Sequence, residues 1–167
     1  MKTCLYALVP LLCGCLINFS HAETEVSLHG TLIEAPPCVI NDNNIIYVDF
    51  GNEVMTTRVD GSNYIEKLDF TVDCSEGMST GKTLVVGIVG NGASFDSNVL
   101  ETNIPDLGIK FYLEKIIPYD INKFNLHLNN NNPTSAGDFY AVPVKRSGST
   151  LPSGDFSATA SLVIKYN

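Results

Sequence analysis

Of the side chains able to do chemistry, this sequence holds five cysteines, three histidines and 18 carboxylates, and their spacing does not suit catalysis. Cys38 and Cys74 stand outside any CxxC, and two cysteines alone make no metal site. His29 and His127 are isolated, with no HxxxH or HxH partner. Asp69 and Asp73, or Asp138 and Asp155, could approach one another in a sheet, but nothing in the sequence aims them at a substrate. Asp49-Phe50-Gly51 spells a triplet found in kinases, without the phosphate and catalytic loops that give the triplet its meaning. Gly87-Ile88-Val89-Gly90-Asn91-Gly92 superficially imitates a dinucleotide loop, but no helix follows to receive a phosphate. Asn132-Pro133-Thr134 fails as a glycosylation sequon because of its proline. The expectation is a protein with no catalytic residue, no metal site, no cofactor and no small-molecule substrate.

The elements around these residues point elsewhere. Lys2, the apolar run from Leu5 to Phe19, and the small-x-small site Ser20-His21-Ala22 read as a secretory signal peptide cut after Ala22. Leu12-Cys13-Gly14-Cys15 loosely offers a rival, a lipoprotein box that would leave Cys15 lipidated, but the strand-like segment after Ala22 favours cleavage there. Cleavage takes Cys4, Cys13, Cys15 and His21 with it. Cys38 and Cys74 remain, an even pair in an exported chain, which implies one disulfide worth roughly 3–4 kcal/mol in the chain-entropy model. The formal charge of the whole chain is -8, and losing Lys2 makes it one unit more acidic. Such a surface repels phosphate backbones, and Lys145-Arg146 is the only adjacent basic pair, so no nucleic-acid partner is expected.

The rest reads as short strands. Hydrophobic residues are 44% of the chain and charged ones 17%, and Asn, Ser, Thr and Gly supply much of the polarity, a mix suited to strands and turns. Val26, Leu28, Gly30 and Leu32 alternate with Glu25, Ser27, His29 and Thr31, the period of a strand, and Pro36-Pro37 stops it. Further strands are expected at Cys38–Ile40 with Ile45–Phe50, Tyr64–Cys74, Thr83–Val89, Leu107–Leu113, Asn122–Leu128 and Phe139–Val144, with Ile65, Leu68, Phe70, Val72 and Cys74 facing inward along the second of these. Seven or so such runs with turn signals between them indicate a β-sandwich. The last strand is the most informative. Phe156, Ala158, Ala160, Leu162, Ile164 and Tyr166 alternate with Ser157, Thr159, Ser161, Val163, Lys165 and Asn167 up to the C-terminus. Pattern alone leaves open whether it lies at an edge or in mid-sheet, mid-sheet being the more ordinary place for so apolar a strand.

Taken together, these features resemble the chaperone–usher pilins. The resemblance rests on the signal peptide, the alternating extension with its central Gly30, the Pro36-Pro37-Cys38 junction and the second cysteine Cys74. It rests also on Gly154, fourteenth from the end, the alternation that follows it, and the penultimate Tyr166. Val48-Asp49-Phe50-Gly51-Asn52, Asn98-Val99-Leu100, Thr102-Asn103-Ile104, Leu107-Gly108-Ile109 and Gly154 to Ser161 are most similar to the minor tip adaptors of that family. The resemblance covers essentially the whole chain, with an extension one residue longer before Pro36.

The resemblance implies an all-β fold, an incomplete immunoglobulin-like β-sandwich lacking its final strand and completed by a donor strand. It implies three regions: a signal peptide (1–22), an N-terminal donor-strand extension (23–35) and the pilin domain (36–167). Val26, Leu28, Gly30 and Leu32 would enter a neighbour's groove, with Gly30 where the groove is too shallow for a side chain. Gly154, Phe156, Ala158, Ala160, Leu162, Ile164 and Tyr166 would form this chain's own acceptor groove, and Cys38–Cys74 would staple it. The partners implied are a periplasmic pilus chaperone, an outer-membrane usher, and neighbouring subunits including a tip adhesin. The place implied is the cell-surface fimbrium, reached through the periplasm, and the function that of a tip adaptor or initiator. The alternative, a receptor-binding fimbrial adhesin, fits less well, because two-domain adhesins carry a lectin domain in place of the extension.

Overall fold

The computed structural model describes residues 26–31, 38–78, 83–128, 132 and 134–167. By its internal contacts the chain divides into two units, residues 1–33 and 34–167. Only 26–31 of the first unit are described, so the expected signal peptide, Leu32 and the Pro36-Pro37 stop all lie outside the described residues. Residues 26–31 carry no helix or strand and are exposed.

The second unit is built of short strands: β1 (Val39–Ile40), β2 (Glu66–Lys67), β3 (Val72–Asp73), β4 (Leu84–Val89), β5 (Gly92–Ala93), β6 (Asp96–Glu101), β7 (Leu107–Leu113), β8 (Ile117–Tyr119), β9 (Leu126–His127), β10 (Phe139–Lys145) and β11 (Ser161–Tyr166). A single helical turn, α1 (Ser75–Met78), and two 3₁₀ turns at Asn41–Asn43 and Thr56–Arg58 complete the described elements. One sheet runs β2-β10-β7-β6-β5, with β8 also on β7. The second runs β11-β4-β9, and β1 pairs β3 separately. All pairings are antiparallel.

The two larger sheets meet through one apolar core. Leu84, Val86 and Ile88 of β4 face Leu100 of β6, Ile109 and Phe111 of β7, and Phe139 and Ala141 of β10, all buried. Fully burying one such large side chain stabilises the fold by about 1.5–3 kcal/mol. β4 is buried on both faces, which is why its sequence reads as a continuous apolar run. A Cβ on Gly87 would stand 2.6 Å from the Phe124 ring, so this glycine admits the 120–125 loop against the outer face. Pro143 lies in β10 opposite Ile109 but beyond the two residues of β2, so its missing N–H breaks no ladder bond on that edge.

Several strands depart from the sequence expectation. The 64–74 run is not one strand. It breaks into β2, which pairs β10, and β3, which pairs β1. Leu68, Val72 and Cys74 are buried as expected, and Ile65 and Phe70 only partly. β6 and β8 were not anticipated, and β10 runs one residue further, to Lys145. The expected strand 45–50 forms no ladder, and the expected 156–166 strand is a ladder only from Ser161.

Candidate functional site

Those last two departures share one feature, a segment with no described strand beside it. β11 pairs β4 from Tyr166↔Leu84 to Ser161↔Val89, and there β4 ends. Residues 156–160 continue past it without a ladder partner. Asn167 N–H donates to Thr83 O at 2.9 Å, so the odd-numbered residues of β11 turn their backbone groups toward β4. The even-numbered residues, Phe156 to Tyr166, therefore point theirs to the opposite edge. No described strand lies along that edge, so β11 is an edge strand and not a mid-sheet one.

The segment 44–50 supplies a second rim. Ile46, Val48 and Phe50 are partly buried on one face, while Ile45 and Tyr47 stand 72% and 80% exposed on the other. That is strand alternation without strand pairing. The described hydrogen bonds of the segment lie at its two ends, while Val48 and Phe50 pack on the core. Asn41 Nδ2 donates to Asn44 O and Ile45 O, and Gly51 N–H donates to the Asp49 carboxylate at 2.8 Å.

Between the two rims lies an open cavity of about 290 Å³. Its walls are Ile46, Val48 and Phe50 from one rim and Phe156, Ala158, Ala160 and Leu162 from the other. Its floor is the sandwich core itself: Leu68, Ile88, Leu100, Ile109, Phe111 and Ala141. The rings of Phe50 and Phe156 meet across the gap, centroids 5.7 Å apart. Beyond them a second, more polar cavity of about 300 Å³ extends to Asp49, Asn52, Thr56, Gly154 and Asp155. The groove thus leaves open the wall side chains Ala158 and Ala160 and a backbone edge with no described strand beside it, the two things an added strand would cover.

All seven residues expected at the acceptor edge are described. Phe156, Ala158, Ala160 and Leu162 line the first cavity, with Gly154 and Phe156 on the second. Ile164 and Tyr166 pack on the core further along β11. Of the residues expected to donate, Val26 and Leu28 are 75% and 90% exposed, and a Cβ on Gly30 would meet nothing within 4 Å. Cys38 and Cys74 form a disulfide, Cα atoms 4.3 Å apart, which joins the start of β1 to the end of β3. β1 leads through the turn at Asn41–Asn43 into the 44–50 rim, so the staple anchors that rim.

Sequence reasoning missed the residues that order the groove from behind. Ile46, Val48 and Phe50 were read as a strand, not as a wall. Asn103 stands in a polar turn with no local pattern around it, yet its side chain bonds the backbone of residues 155 and 157. Tyr119 donates from its hydroxyl to Val86 O at 2.6 Å and packs edge-on against Phe139, and its burial pushes its pKa up. The signal for both lay in side chains reaching distant backbone, which a local pattern does not display.

A model of the fimbrial protein family matches residues 26–167. The fimbrial-like protein YfcR of Escherichia coli K12 is 33% identical over 143 residues, covering 81% of this chain and 76% of that protein. The fimbrial adapter PapF of Escherichia coli is 29% identical over 153 residues, covering 87% of this chain and 89% of that protein. In three dimensions the chain is similar to the P pilus adaptor subunit PapF, with a TM-score of 0.59 and 31% identity, covering 80% of this chain and 98% of that one. The architecture is the immunoglobulin-like sandwich of pilins.

Proposed function

The chain belongs to the fimbrial protein family, and from that premise we propose that it is an adaptor that gives its N-terminal strand to one neighbour and takes another neighbour's strand into its own groove. It is a structural subunit of a chaperone–usher pilus and works in the extracellular fimbrium. The finer reading is carried by one observation, the apolar cavity between two segments that have no described strand beside them along it.

The physics of that cavity favours strand addition. An extended peptide between the rims would hydrogen-bond to both and place alternate side chains in the cavity. Val26, Leu28, Gly30 and Leu32 have that alternation, and each large apolar residue so buried contributes about 1.5–3 kcal/mol. The chain's own groove, formed by Phe156, Ala158, Ala160, Leu162, Ile164 and Tyr166 after Gly154, would receive the equivalent strand of the next subunit. An open apolar edge invites aggregation, which is the reason for a periplasmic chaperone to hold the groove until an outer-membrane usher exchanges it for a neighbour. Removal of residues 1–22 frees the extension 23–35, and the pilin domain is 36–167. The 29–31% identity to an adapter supports a place beside the tip adhesin.

The test has two arms. A synthetic Thr24–Ile33 peptide is added to a groove-bearing fimbrial subunit, and N-terminal peptides of fimbrial subunits, this one included, are added to the full mature chain. Stable one-to-one complexes are expected in both. Deleting residues 23–33 should abolish donation and leave acceptance intact. If no peptide binds in either arm, and the deleted protein is a stable monomer, strand exchange is wrong.

A further inference from the structure

The last ladder pair of β11 is at Ser161, yet residues 155–157 continue along the groove. Phe156 packs on the core and on Phe50, and among the described residues Asn103 supplies the hydrogen bonds that hold the backbone of 155 and 157. Asn103 N–H donates to Ser157 O at 3.1 Å, Ser157 N–H donates to Asn103 Oδ1 at 2.7 Å, and Asn103 Nδ2 donates to Asp155 O at 3.2 Å. Asn103 therefore pairs both backbone groups of Ser157 as a neighbouring strand would. It does so from the β4 side, because Ser157 has the same parity as the β11 residues that face β4.

Asn103 is itself held. Thr102, buried to 8% exposure, accepts the N–H of Ile104 at its hydroxyl oxygen and donates from that hydroxyl toward Leu107 O at 3.0 Å and Ile104 O at 3.1 Å. Leu107 N–H closes the same turn on Ile104 O. Thr102 locks the turn that leaves β6, and the locked turn presents the Asn103 amide. The same device finishes β4 on its other edge, where the Asn122 side chain accepts Gly90 N–H and donates to Gly90 O.

We propose that Asn103 is a positioning residue for strand addition: a one-residue substitute strand that holds 155–157 extended, so that Phe156 and Ala158 offer their backbone groups to a donor before the donor arrives. The proposal rests on the groove reading above. Ordering backbone costs free energy that binding must otherwise supply, and a groove competent only part of the time binds in proportion to that fraction. Once a donor is seated, its own ladder holds the strand and the latch matters little. Asn103 thus acts on capture and not on retention.

The test compares the full mature chain with Asn103→Ala and Asn103→Asp, by stopped-flow uptake and release of whichever N-terminal fimbrial peptide the wild-type chain binds most tightly. Losing both side-chain bonds should slow uptake roughly five- to ten-fold, the effect of about 1 kcal/mol of hydrogen bonding. Release rate and melting temperature of the loaded form should stay unchanged. Asn103→Asp keeps the acceptor for Ser157 N–H and should fall between the two. Amide exchange in the empty chain should quicken at Ser157 in Asn103→Ala. Uptake by Asn103→Ala at the wild-type rate overturns the proposal and leaves the groove reading intact. A variant that releases faster and melts lower when loaded also overturns it, by showing a general structural role. A wild-type chain that takes up no peptide overturns the groove reading and this inference with it.

Discussion

Replacing both cysteines, Cys38→Ala with Cys74→Ala, removes a bond that closes a loop of 36 residues. In the chain-entropy model such a loop withholds about 13 cal/mol/K from the unfolded chain, or about 4 kcal/mol at 25 °C. A small domain is stable by about 5–15 kcal/mol in all, and this one, with its groove empty, has an open cavity above its core and leaves Ala158 and Ala160 uncovered. The double variant should therefore lose most of its stability when empty and stay folded when loaded with a donor peptide. Cys74 is 1% exposed, so trimming it to alanine adds a small packing loss to the entropic one. The loss should also reach the groove, because the bond anchors β1 and β1 leads into the 44–50 rim. Urea unfolding of empty and loaded protein, oxidised wild type against the double variant, measures both effects. A destabilisation under about 1 kcal/mol would refute the reasoning, since it would mean that β1–β3 pairing and core packing hold this end of the molecule without the staple.

Three further perturbations separate the parts of the account. Gly30→Leu should leave the melting temperature of this chain unchanged, since nothing lies within 4 Å of a Cβ there, yet weaken donation to a neighbouring groove at least ten-fold in a peptide-binding assay. Ala160→Leu places a larger side chain in the first cavity and should cut uptake of donor peptide at least ten-fold without destabilising the empty chain. Asp60 is held below the usual carboxylate range by the N–H groups of Asn63 and Ser62, and Asp73 likewise by the Ser75 hydroxyl and N–H. A depressed carboxyl favours the fold above its unfolded pKa, and the contribution disappears as pH falls through the lower folded value. Thermal melts should therefore lose stability below about pH 4, and Asp60→Asn should shrink that loss.

The alternation of the final strand could be read directly from sequence, and so could the cysteine pairing and the inward set Leu68, Val72 and Cys74. Where the final ladder stops could not, because that is decided by the end of its partner at Val89, some seventy positions earlier in the chain. The 45–50 segment looked like a strand for a sound reason, its alternating Ile46, Val48 and Phe50. It lacks a ladder because no described strand lies beside it. β8 escaped because its hairpin turn uses Glu114 and Lys115 at φ 54° and 64°, where the expected signal is Asn-Gly. β6 escaped because it begins with three polar residues, Asp96, Ser97 and Asn98, and gains its identity from pairing with β5 and β7.

The central claim is that a strand from another subunit enters between residues 46–50 and 156–160. Residue-resolved amide hydrogen exchange on the full mature chain, with and without bound donor peptide, tests it most directly. The account predicts new protection confined to both rims, strongest at the even-numbered Phe156, Ala158 and Ala160, with the β4-facing amides of Val163 and Lys165 already protected beforehand. Protection on one rim alone, or on a surface away from the groove, would contradict it.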